Sequence, residues 1–369
     1  AHCVKLNAQW IVGTTDSGGT GNFGKIVKMP YGYDTIQYTY NMLGGLNGNK
    51  PRSLVKACDG LVYGIADGGL NNHGILFSFN PATNVFTKKL DLHNSNCWYP
   101  VGIVMGNNGK IYGGANNTPQ AYIFEYNIAN NTIVKRDSTS RYYFPYNINN
   151  MVVSAFTTPF VGINNKIYYG TPSADVFNQN NMPIGGGAKL VCLNLSNNTL
   201  IKIDSTLPGE GIRSVTESAD SNLYVEVIDC CAYNYTTRYK NGFQNSQPLA
   251  QNYFTSANHP PLFQAADGYM YTAFAGGMQC YSDISINKYN TGFANILSSK
   301  MLSAPFTTGE YSAYCQIYKM PDGNIYFATS EGHDFCGNDT FRTGHMNMYT
   351  NHLSQKIHAY LLNSMVYSG

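Results

Sequence analysis

The chain has 369 residues, of which 43% are hydrophobic and only 12% are charged, and its formal net charge is +2. A balance this close to neutral excludes the basic stripe that nucleic-acid binding needs and the polybasic patch that binds membrane surfaces. No apolar run approaches the roughly 20 residues that cross a bilayer, so no membrane span is predicted. Most of the 30 tyrosines are interpreted as strand residues, because tyrosine has a high β-propensity.

A short strand-and-turn motif recurs seven times along the chain. Six copies end on a tyrosine and the first ends on a valine, at Val12, Tyr63, Tyr112, Tyr168, Tyr224, Tyr271 and Tyr326. Successive copies lie between 47 and 56 residues apart, close to the roughly 40 to 50 residues that a blade of four short strands needs. The sequence therefore predicts an all-β, seven-bladed β-propeller with four-stranded antiparallel blades.

The repeat spacing predicts a single propeller domain over residues 1–369. Its approximate blades are residues 1–49, 50–97, 98–150, 151–208, 209–258, 259–308 and 309–369. Residues 4–6 are expected to form the inner strand of the first blade. In the last blade, residues 356–362 are expected to form the third strand and residues 365–367 the start of a fourth. The mode of ring closure stays open at this point, between termini that interlock in one blade and a disulfide.

The first two repeats carry a glycine-rich loop after the motif. Residues 13–19 (GTTDSGG) with Gly24, and residues 63–69 (YGIADGG) followed by residues 71–77 (NNHGILF), resemble the tandem repeats of secreted bacterial proteins called choice-of-anchor GloVer-repeat proteins. That family has no assigned chemistry. The resemblance therefore implies a secreted or cell-surface location and no particular activity.

Nine cysteines indicate an oxidising compartment, in which disulfides persist. The disulfide candidates are Cys3, Cys315, Cys230, Cys231, Cys280 and Cys336. A bridge from Cys3 to Cys315 is the favoured ring lock. The adjacent Cys230 and Cys231 bond either to each other or to different partners such as Cys280.

Six sequons are candidate glycosylation sites, at Asn116, Asn130, Asn194, Asn197, Asn234 and Asn338. They matter only where the source organism glycosylates asparagine. Their chance occurrence in an asparagine-rich chain is the alternative interpretation.

Most of the unusual residues are predicted to lie on one face of the propeller. We call it the upper face, formed by the loops between second and third strands and by the links between blades. The candidate ligand-binding residues there are His73, His93, His259, Asp229, His333, Asp334 and His345. A long loop of the last blade, residues 331–351, is expected to hold the last three. No cofactor is expected, and the alternative is bound calcium or another metal held by these loops.

No spacing singles out a catalytic pair of side chains, and neither a serine elbow nor a phosphate-binding glycine loop is present. The favoured interpretation is a secreted, non-catalytic extracellular module, free or attached to the cell surface, that binds a glycan or an extracellular protein partner. That protein partner could be another copy of the chain. The alternatives are a structural subunit of an extracellular assembly and a carbohydrate-active enzyme, either a polysaccharide lyase or a glycosidase.

Overall fold

The computed structural model describes residues 10–15, 18–30, 36–116, 120–140, 159–162, 165–171, 176–177, 183–185, 187–206, 210–219, 221–228, 234–239, 248–252, 263–265, 267–276, 283–290, 296–302, 312–319, 325–331, 344–349, 356–360 and 364–367. Nearly every regular element in these ranges is a β-strand. Short 3₁₀ turns occur at Thr20–Asn22, Gly45–Asn47 and Leu70–Asn72. Within these ranges there is no helix with the length and apolar character needed to cross a membrane.

The strands are numbered in chain order. The first eleven are β1 (Trp10–Thr15), β2 (Lys25–Pro30), β3 (Tyr38–Asn41), β4 (Asn49–Lys56), β5 (Val62–Asp67), β6 (Ile75–Asn80), β7 (Val85–Asp91), β8 (Pro100–Met105), β9 (Ile111–Ala115), β10 (Gln120–Asn127) and β11 (Thr132–Ser140). The next ten are β12 (Phe160–Gly162), β13 (Lys166–Gly170), β14 (Val176–Phe177), β15 (Pro183–Gly185), β16 (Lys189–Asn194), β17 (Thr199–Ser205), β18 (Gly211–Glu217), β19 (Leu223–Ile228), β20 (Asn234–Tyr239) and β21 (Pro248–Asn252). The last nine are β22 (Phe263–Gln264), β23 (Met270–Gly276), β24 (Asp283–Tyr289), β25 (Ile296–Leu302), β26 (Ser312–Lys319), β27 (Ile325–Glu331), β28 (Gly344–Tyr349), β29 (Lys356–Tyr360) and β30 (Ser364–Tyr367).

The described strands form seven four-stranded antiparallel sheets and one small hairpin, β14–β15. In five sheets the four strands are consecutive in the chain, and in a sixth the hairpin is inserted between the second and third strands. This up-and-down order is the one that tandem strand repeats produce in a propeller. The predicted all-β propeller fold with four-stranded antiparallel blades is confirmed.

The remaining sheet joins the two ends of the chain. Its strand order is β3-β2-β1-β30, and β30 pairs antiparallel with β1 from Ile11 opposite Tyr367 to Thr14 opposite Ser364. The C-terminal strand thus occupies the inner position beside β4. Backbone hydrogen bonds between the chain ends therefore close the ring.

Three expectations about strand positions are wrong. Residues 365–367, expected to start the fourth strand of the last blade, lie in β30 of the first sheet. The inner position of the first sheet, expected for residues 4–6, belongs to β30, and residues 4–6 lie outside the described ranges. Residues 356–360 form the fourth strand of the last sheet and not its third. The reason is that β28, which fills the third position, begins within the segment interpreted as a long loop.

The repeated tyrosine secures the turn between the first two strands of a sheet. Asp59 accepts hydrogen bonds from the Tyr63 hydroxyl at 2.8 Å and from the Leu61 backbone N–H at 3.0 Å. Tyr271 donates to Asp267 in the same way, at 2.7 Å. The Tyr63 ring is only 1% exposed, and its burial, together with the nearby carboxylate, raises the pKa of the hydroxyl. The motif is therefore a structural one, in which a neutral tyrosine reaches from the core to the turn.

Glycines after this tyrosine let neighbouring strands pack closely. A Cβ atom at Gly64 would collide with the ring of Phe77, and one at Gly113 would collide with Phe124. Both phenylalanines are fully buried in the clusters that fill the space between sheets. Burying one such ring contributes about 1.5–3 kcal/mol to stability. The Tyr-Gly step thus makes room for the main apolar side chain of the third strand.

Candidate functional site

The loop between β5 and β6 presents His73 on the upper face. Gly68 has a φ of 83°, which lies in the left-handed region that favours glycine. Its carbonyl accepts a 2.7 Å hydrogen bond from the N–H of Gly74, which closes the loop. The Asp91 carboxylate accepts a 2.8 Å bond from the N–H of Leu70 and holds the middle of the loop. The direction in which His73 projects is therefore fixed by backbone contacts.

The link between β7 and β8, residues 92–99, carries the other members of the site. The Tyr99 backbone N–H donates to the carbonyl of His73 at 3.0 Å, so the end of the link is tied to the loop. Within the link, the indole N–H of Trp98 donates to the carbonyl of His93 at 3.2 Å. Loop and link consequently form one rigid unit on the upper face.

The two histidines form a flat pair on an aromatic base. Nδ1 of His73 and Nδ1 of His93 are 2.7 Å apart, and the rings lie edge to edge, with centroids 4.9 Å apart and planes 24° apart. Both rings stack on Trp98, at 4.0 Å and 5.7 Å between centroids. The ring of Tyr99 meets His73 edge-on at 5.5 Å and 76°. Two imidazoles thus share a hydrogen bond over one indole.

This contact limits the charge that the pair can hold. A bond between two Nδ1 atoms requires one to donate and the other to accept, so protons on both nitrogens would face each other across 2.7 Å. Burial, followed by the charge of His93, lowers the pKa of His73 below its ordinary value. At most one proton therefore lies between the two Nδ1 atoms.

The third polar member, Asn71, sets the direction of the hydrogen bonds. Its side-chain nitrogen lies 3.3 Å from Nε2 of His93. With the amide donating, His93 donates through Nδ1 to His73, whose Nε2–H then points outward as a donor. Rotation of the amide by 180° and transfer of the protons along the chain leave a lone pair on Nε2 of His73 instead. The same three side chains can thus present an acid or a base.

A second copy of this backbone unit occurs in the first sheet without the histidines. There the N–H of Gly24 donates to the carbonyl of Gly18 at 3.1 Å, and the N–H of Lys50 donates to the carbonyl of Phe23 at 2.7 Å. These two bonds correspond to the bonds that close and anchor the His73 loop. Phe23 therefore stands in the position of His73.

Solved structures with this architecture include several full-length neighbours. A periplasmic gluconolactonase from Pseudomonas aeruginosa matches at 10% identity and a TM-score of 0.60, with 98% of each chain covered. A candidate 6-phosphogluconolactonase from Bacteroides fragilis matches at 11% identity and a TM-score of 0.58, covering 98% of this chain and 99% of that one. A protein from Lactobacillus plantarum matches at 10% identity and a TM-score of 0.57, covering 98% and 96%. These likenesses show a shared β-propeller fold.

In sequence, no protein-family model matches the chain and no curated protein does so either. The resemblance to the GloVer-repeat proteins gains no support from these comparisons. The expectation of a non-catalytic binding module is wrong, because the full-length structural neighbours include proteins described as lactonases. The expectation rested on the lack of a catalytic spacing in the sequence, and the histidine pair arises instead from a loop and a link twenty residues apart.

The structure brings together two of the seven predicted ligand-binding residues, His73 and His93. His345 lies on β28 opposite Thr329 of β27, so its expected position in a loop is wrong, because the third strand begins at Gly344. The others, His259, Asp229, His333 and Asp334, lie outside the described residues. A role for them in binding stays a prediction.

The described cysteines do not contribute to the site. Cys58, which was not among the predicted bridging cysteines, is disulfide-bonded. Cys97 and Cys192 are free, buried thiols, and burial raises the pKa of Cys97 to about 12, so that thiol stays protonated and unreactive. Cys315 lies on β26, while Cys3, Cys230, Cys231, Cys280 and Cys336 lie outside the described ranges. Their pairing stays a prediction.

The predicted glycosylation sites lie in different environments. Asn116 is only 9% exposed, which leaves little room for a glycan. Asn130 and Asn197 lie in exposed turns and accept hydrogen bonds from the threonine hydroxyls of their own sequons. Asn194 caps a turn, Asn234 lies on β20 and Asn338 lies outside the described residues. Use of these sequons stays a prediction.

No metal site is formed by the described part of the chain, where no group of three or more His, Cys, Asp or Glu side chains is placed to hold an ion. The pair of histidines with Asn71 falls short of the three or four convergent ligands that a protein zinc site uses. Calcium or another metal bound elsewhere stays a prediction.

Sequence reasoning missed the aromatic part of the site, Trp98 and Tyr99, and also Asn71. One signal was available, because Trp98 is one of only two tryptophans in the chain and follows His93 by five residues in a blade link. A rare aromatic residue beside a histidine in a predicted surface link indicates a packed site there.

Proposed function

We propose that the protein hydrolyses sugar lactones and that the His73–His93 pair is its acid–base group. The observation that carries this proposal is the 2.7 Å contact between the two Nδ1 atoms on the Trp98 indole. Imidazole is the side chain best suited to exchange protons near neutral pH. The full-length likeness to a gluconolactonase supports a lactone as the substrate.

The first step is attack by water. Nε2 of His73, in its lone-pair form, takes a proton from a water molecule while the water oxygen bonds to the lactone carbonyl carbon. The carbonyl π electrons move to the carbonyl oxygen, which gives a tetrahedral oxyanion. The lowered pKa of His73 keeps its imidazole neutral, and the rotated Asn71 amide, which accepts from Nε2–H of His93, leaves the lone pair on Nε2 of His73.

The second step opens the ring. The oxyanion re-forms the carbonyl, the bond between the acyl carbon and the ring oxygen breaks, and its electron pair goes to the ring oxygen. That oxygen takes the proton from Nε2 of His73, which restores the neutral pair. Water and lactone have then become one hydroxy acid, with no proton left over.

The surrounding groups support the charge that His73 carries between these steps. His93 accepts the hydrogen bond from the Nδ1–H of the imidazolium, 2.7 Å away. The face of Trp98, 4.0 Å from the His73 ring, attracts a cation through its quadrupole, which contributes about 0.5–2 kcal/mol. Asn71 fixes the far nitrogen of His93. The pair is thereby preorganised for proton transfer.

The test is a pH-stat assay of gluconolactone hydrolysis at pH 6 to 7, corrected for the uncatalysed rate. We expect the wild-type protein to accelerate hydrolysis and His73→Ala to lose roughly 10²- to 10⁴-fold in kcat/KM, the usual contribution of a general base. Phe23→Ala, at the matched position of the first sheet, is the control and should keep its activity. A wild-type rate equal to the uncatalysed rate would refute the proposal.

We also propose an extracellular or periplasmic location. The disulfide bond of Cys58 fits an oxidising compartment, and the Pseudomonas neighbour is a periplasmic protein. Fractionation of the source cells should recover the protein outside the cytoplasm. Recovery with the cytoplasmic fraction, with Cys58 reduced, would contradict this.

A further inference from the structure

Tyr99 combines a strained backbone with an exposed aromatic side chain beside the histidine pair. Its φ is 51°, a left-handed conformation that is rare for a bulky residue and costs about 1–3 kcal/mol. The conformation is held on both sides, since the N–H of Tyr99 bonds to His73 and its carbonyl accepts from the N–H of Asn116 at 3.2 Å. Even so, the side chain is 47% exposed.

The conformation belongs to the repeated backbone, whereas the aromatic side chain belongs to this site. Lys50, which makes the equivalent bond to Phe23, also has a left-handed φ of 47°. The link that follows the first sheet thus ends in the same strained turn, with a flexible charged side chain. At Tyr99 the turn instead holds a flat, rigid ring next to His73, with the rings 5.5 Å apart and almost perpendicular.

The loop and the link are also free of permanent charge. Residues 68–74 and 92–99 contain no Asp, Glu, Lys or Arg. Two neighbouring cations are occupied, because Nζ of Lys88 lies 2.7 Å from the Asp91 carboxylate and 2.9 Å from the carbonyl of Leu46, and Arg52 pairs with Asp67. A phosphate group is normally held by arginine or lysine side chains, and this unit offers neither for that purpose.

We propose that Tyr99 is the platform on which an unphosphorylated sugar lactone stacks, and that the site selects this substrate over its 6-phosphate. The inference rests on the proposed lactonase function and names its substrate class. The apolar C–H face of the sugar ring lies on the exposed face of Tyr99, and the lactone carbonyl then faces His73. An aromatic ring contributes contact area at a low cost in conformational entropy, because it has only two rotatable side-chain bonds.

The experiment compares initial rates on gluconolactone and on its 6-phosphate for the wild-type protein and three variants. We expect the wild-type protein to show a higher kcat/KM for the unphosphorylated lactone by about 10-fold or more. Tyr99→Phe keeps the ring and should behave like the wild type. Tyr99→Asn keeps the left-handed backbone but loses the ring, and should raise KM about 3- to 10-fold with little change in kcat. Lys50→Asn is the matched control and should change neither constant.

The outcomes separate the two proposals. Hydrolysis of neither lactone by the folded wild-type protein defeats the lactonase function, and this inference falls with it. Hydrolysis of the 6-phosphate at equal or greater kcat/KM overturns the substrate class and leaves the lactonase function standing. An unchanged KM in Tyr99→Asn removes Tyr99 as the platform. A loss of kcat alone in that variant would assign the ring to positioning His73 instead, and would also overturn the proposal.

Discussion

The first two sheets carry corresponding loops, each followed by a link that is anchored to its loop by the same two backbone hydrogen bonds. In the first unit the N–H of Met42 donates to the carbonyl of Gly24, and in the second the N–H of Leu92 donates to the carbonyl of Gly74, both at 3.0 Å. The residue that follows is Leu43 in the first unit, 62% exposed, and His93 in the second. Corresponding backbone positions thus carry Phe23 and Leu43 in the first unit and His73 and His93 in the second.

The chemistry of this propeller depends on a few side-chain positions. Phe23 in the first unit packs close to Gly21 and Gly44 and serves as local packing. His73 in the same position gains a hydrogen-bonded partner and an indole base. The two loops close with the same backbone hydrogen bonds, whereas the link over residues 42–50 contains a 3₁₀ turn and is one residue longer than the link over residues 92–99. In the second unit two imidazoles meet.

Converting the second unit into the first should have the largest effect. The double variant His73→Phe with His93→Leu reproduces the apolar pair of the first sheet, so kcat/KM for gluconolactone should fall roughly 10²- to 10⁴-fold. Circular dichroism should be unchanged, because the corresponding loop of the first unit holds Phe23 with the same closing and anchoring hydrogen bonds. If the folded double variant kept more than a tenth of the wild-type kcat/KM, the histidine pair would not be the acid–base group.

The pH profile should show the next largest effect. The neutral form of His73 is the base, and its pKa lies below the ordinary value of about 6.5. The kcat/KM should therefore fall tenfold per pH unit only at pH values below this lowered pKa. The free energy of unfolding should change in the same direction. The unfolded chain binds a proton at His73 more readily than the native protein does, so the free energy of unfolding decreases as pH falls through the unfolded pKa of about 6.5. The double variant should lose both dependences. An acid limb above pH 7 would argue against His73.

A smaller effect is expected from the residue that supports the loop. Asp91 accepts from Leu70 and pairs with Lys88 in the second unit, where the first unit has Asn41 at the corresponding place beside Gly19. Asp91→Asn removes the charge and keeps one acceptor, so the hydrogen bond that holds the loop at Leu70 should be weakened by about 1 kcal/mol. We expect about a fivefold loss in kcat/KM. Asn41→Asp is the matched control and should leave the rate unchanged.

The smallest effect is expected from placing a histidine in the first unit. Phe23→His provides an imidazole without a second histidine, because Leu43 stands in the position of His93. In the His73→Phe background, which lacks the native pair, Phe23→His should restore no lactonase activity. Restored activity there would show that a single histidine in this frame is sufficient.

Much of the fold could be predicted from the sequence, because the tyrosine motif marks the second strand of each repeat and its spacing matches four strands. Ring closure could not be predicted, because β30 has only four residues and pairs with a strand more than 340 residues earlier. Non-local pairing of so short a strand leaves no local pattern in the sequence.

The site was predictable only in part. His73 and His93 could be assigned to the same face, since one lies in a loop and the other in a link on that side. The contact between the two imidazoles could not be predicted, because it depends on the turn at Tyr99. The left-handed φ of 51° at Tyr99 brings the link back to the carbonyl of His73. Left-handed tyrosine is rare, so residue preferences alone would not place Tyr99 there.

A double-mutant cycle on His73 and His93 tests whether the two imidazoles act as one proton-transfer unit. The kcat/KM for gluconolactone would be measured for the wild type, His73→Ala, His93→Ala and the double variant. Side chains that act as one proton-transfer unit are strongly non-additive, so the double variant should be within about threefold of His73→Ala. If the two losses multiply instead, the histidines act independently and the shared-proton account is contradicted.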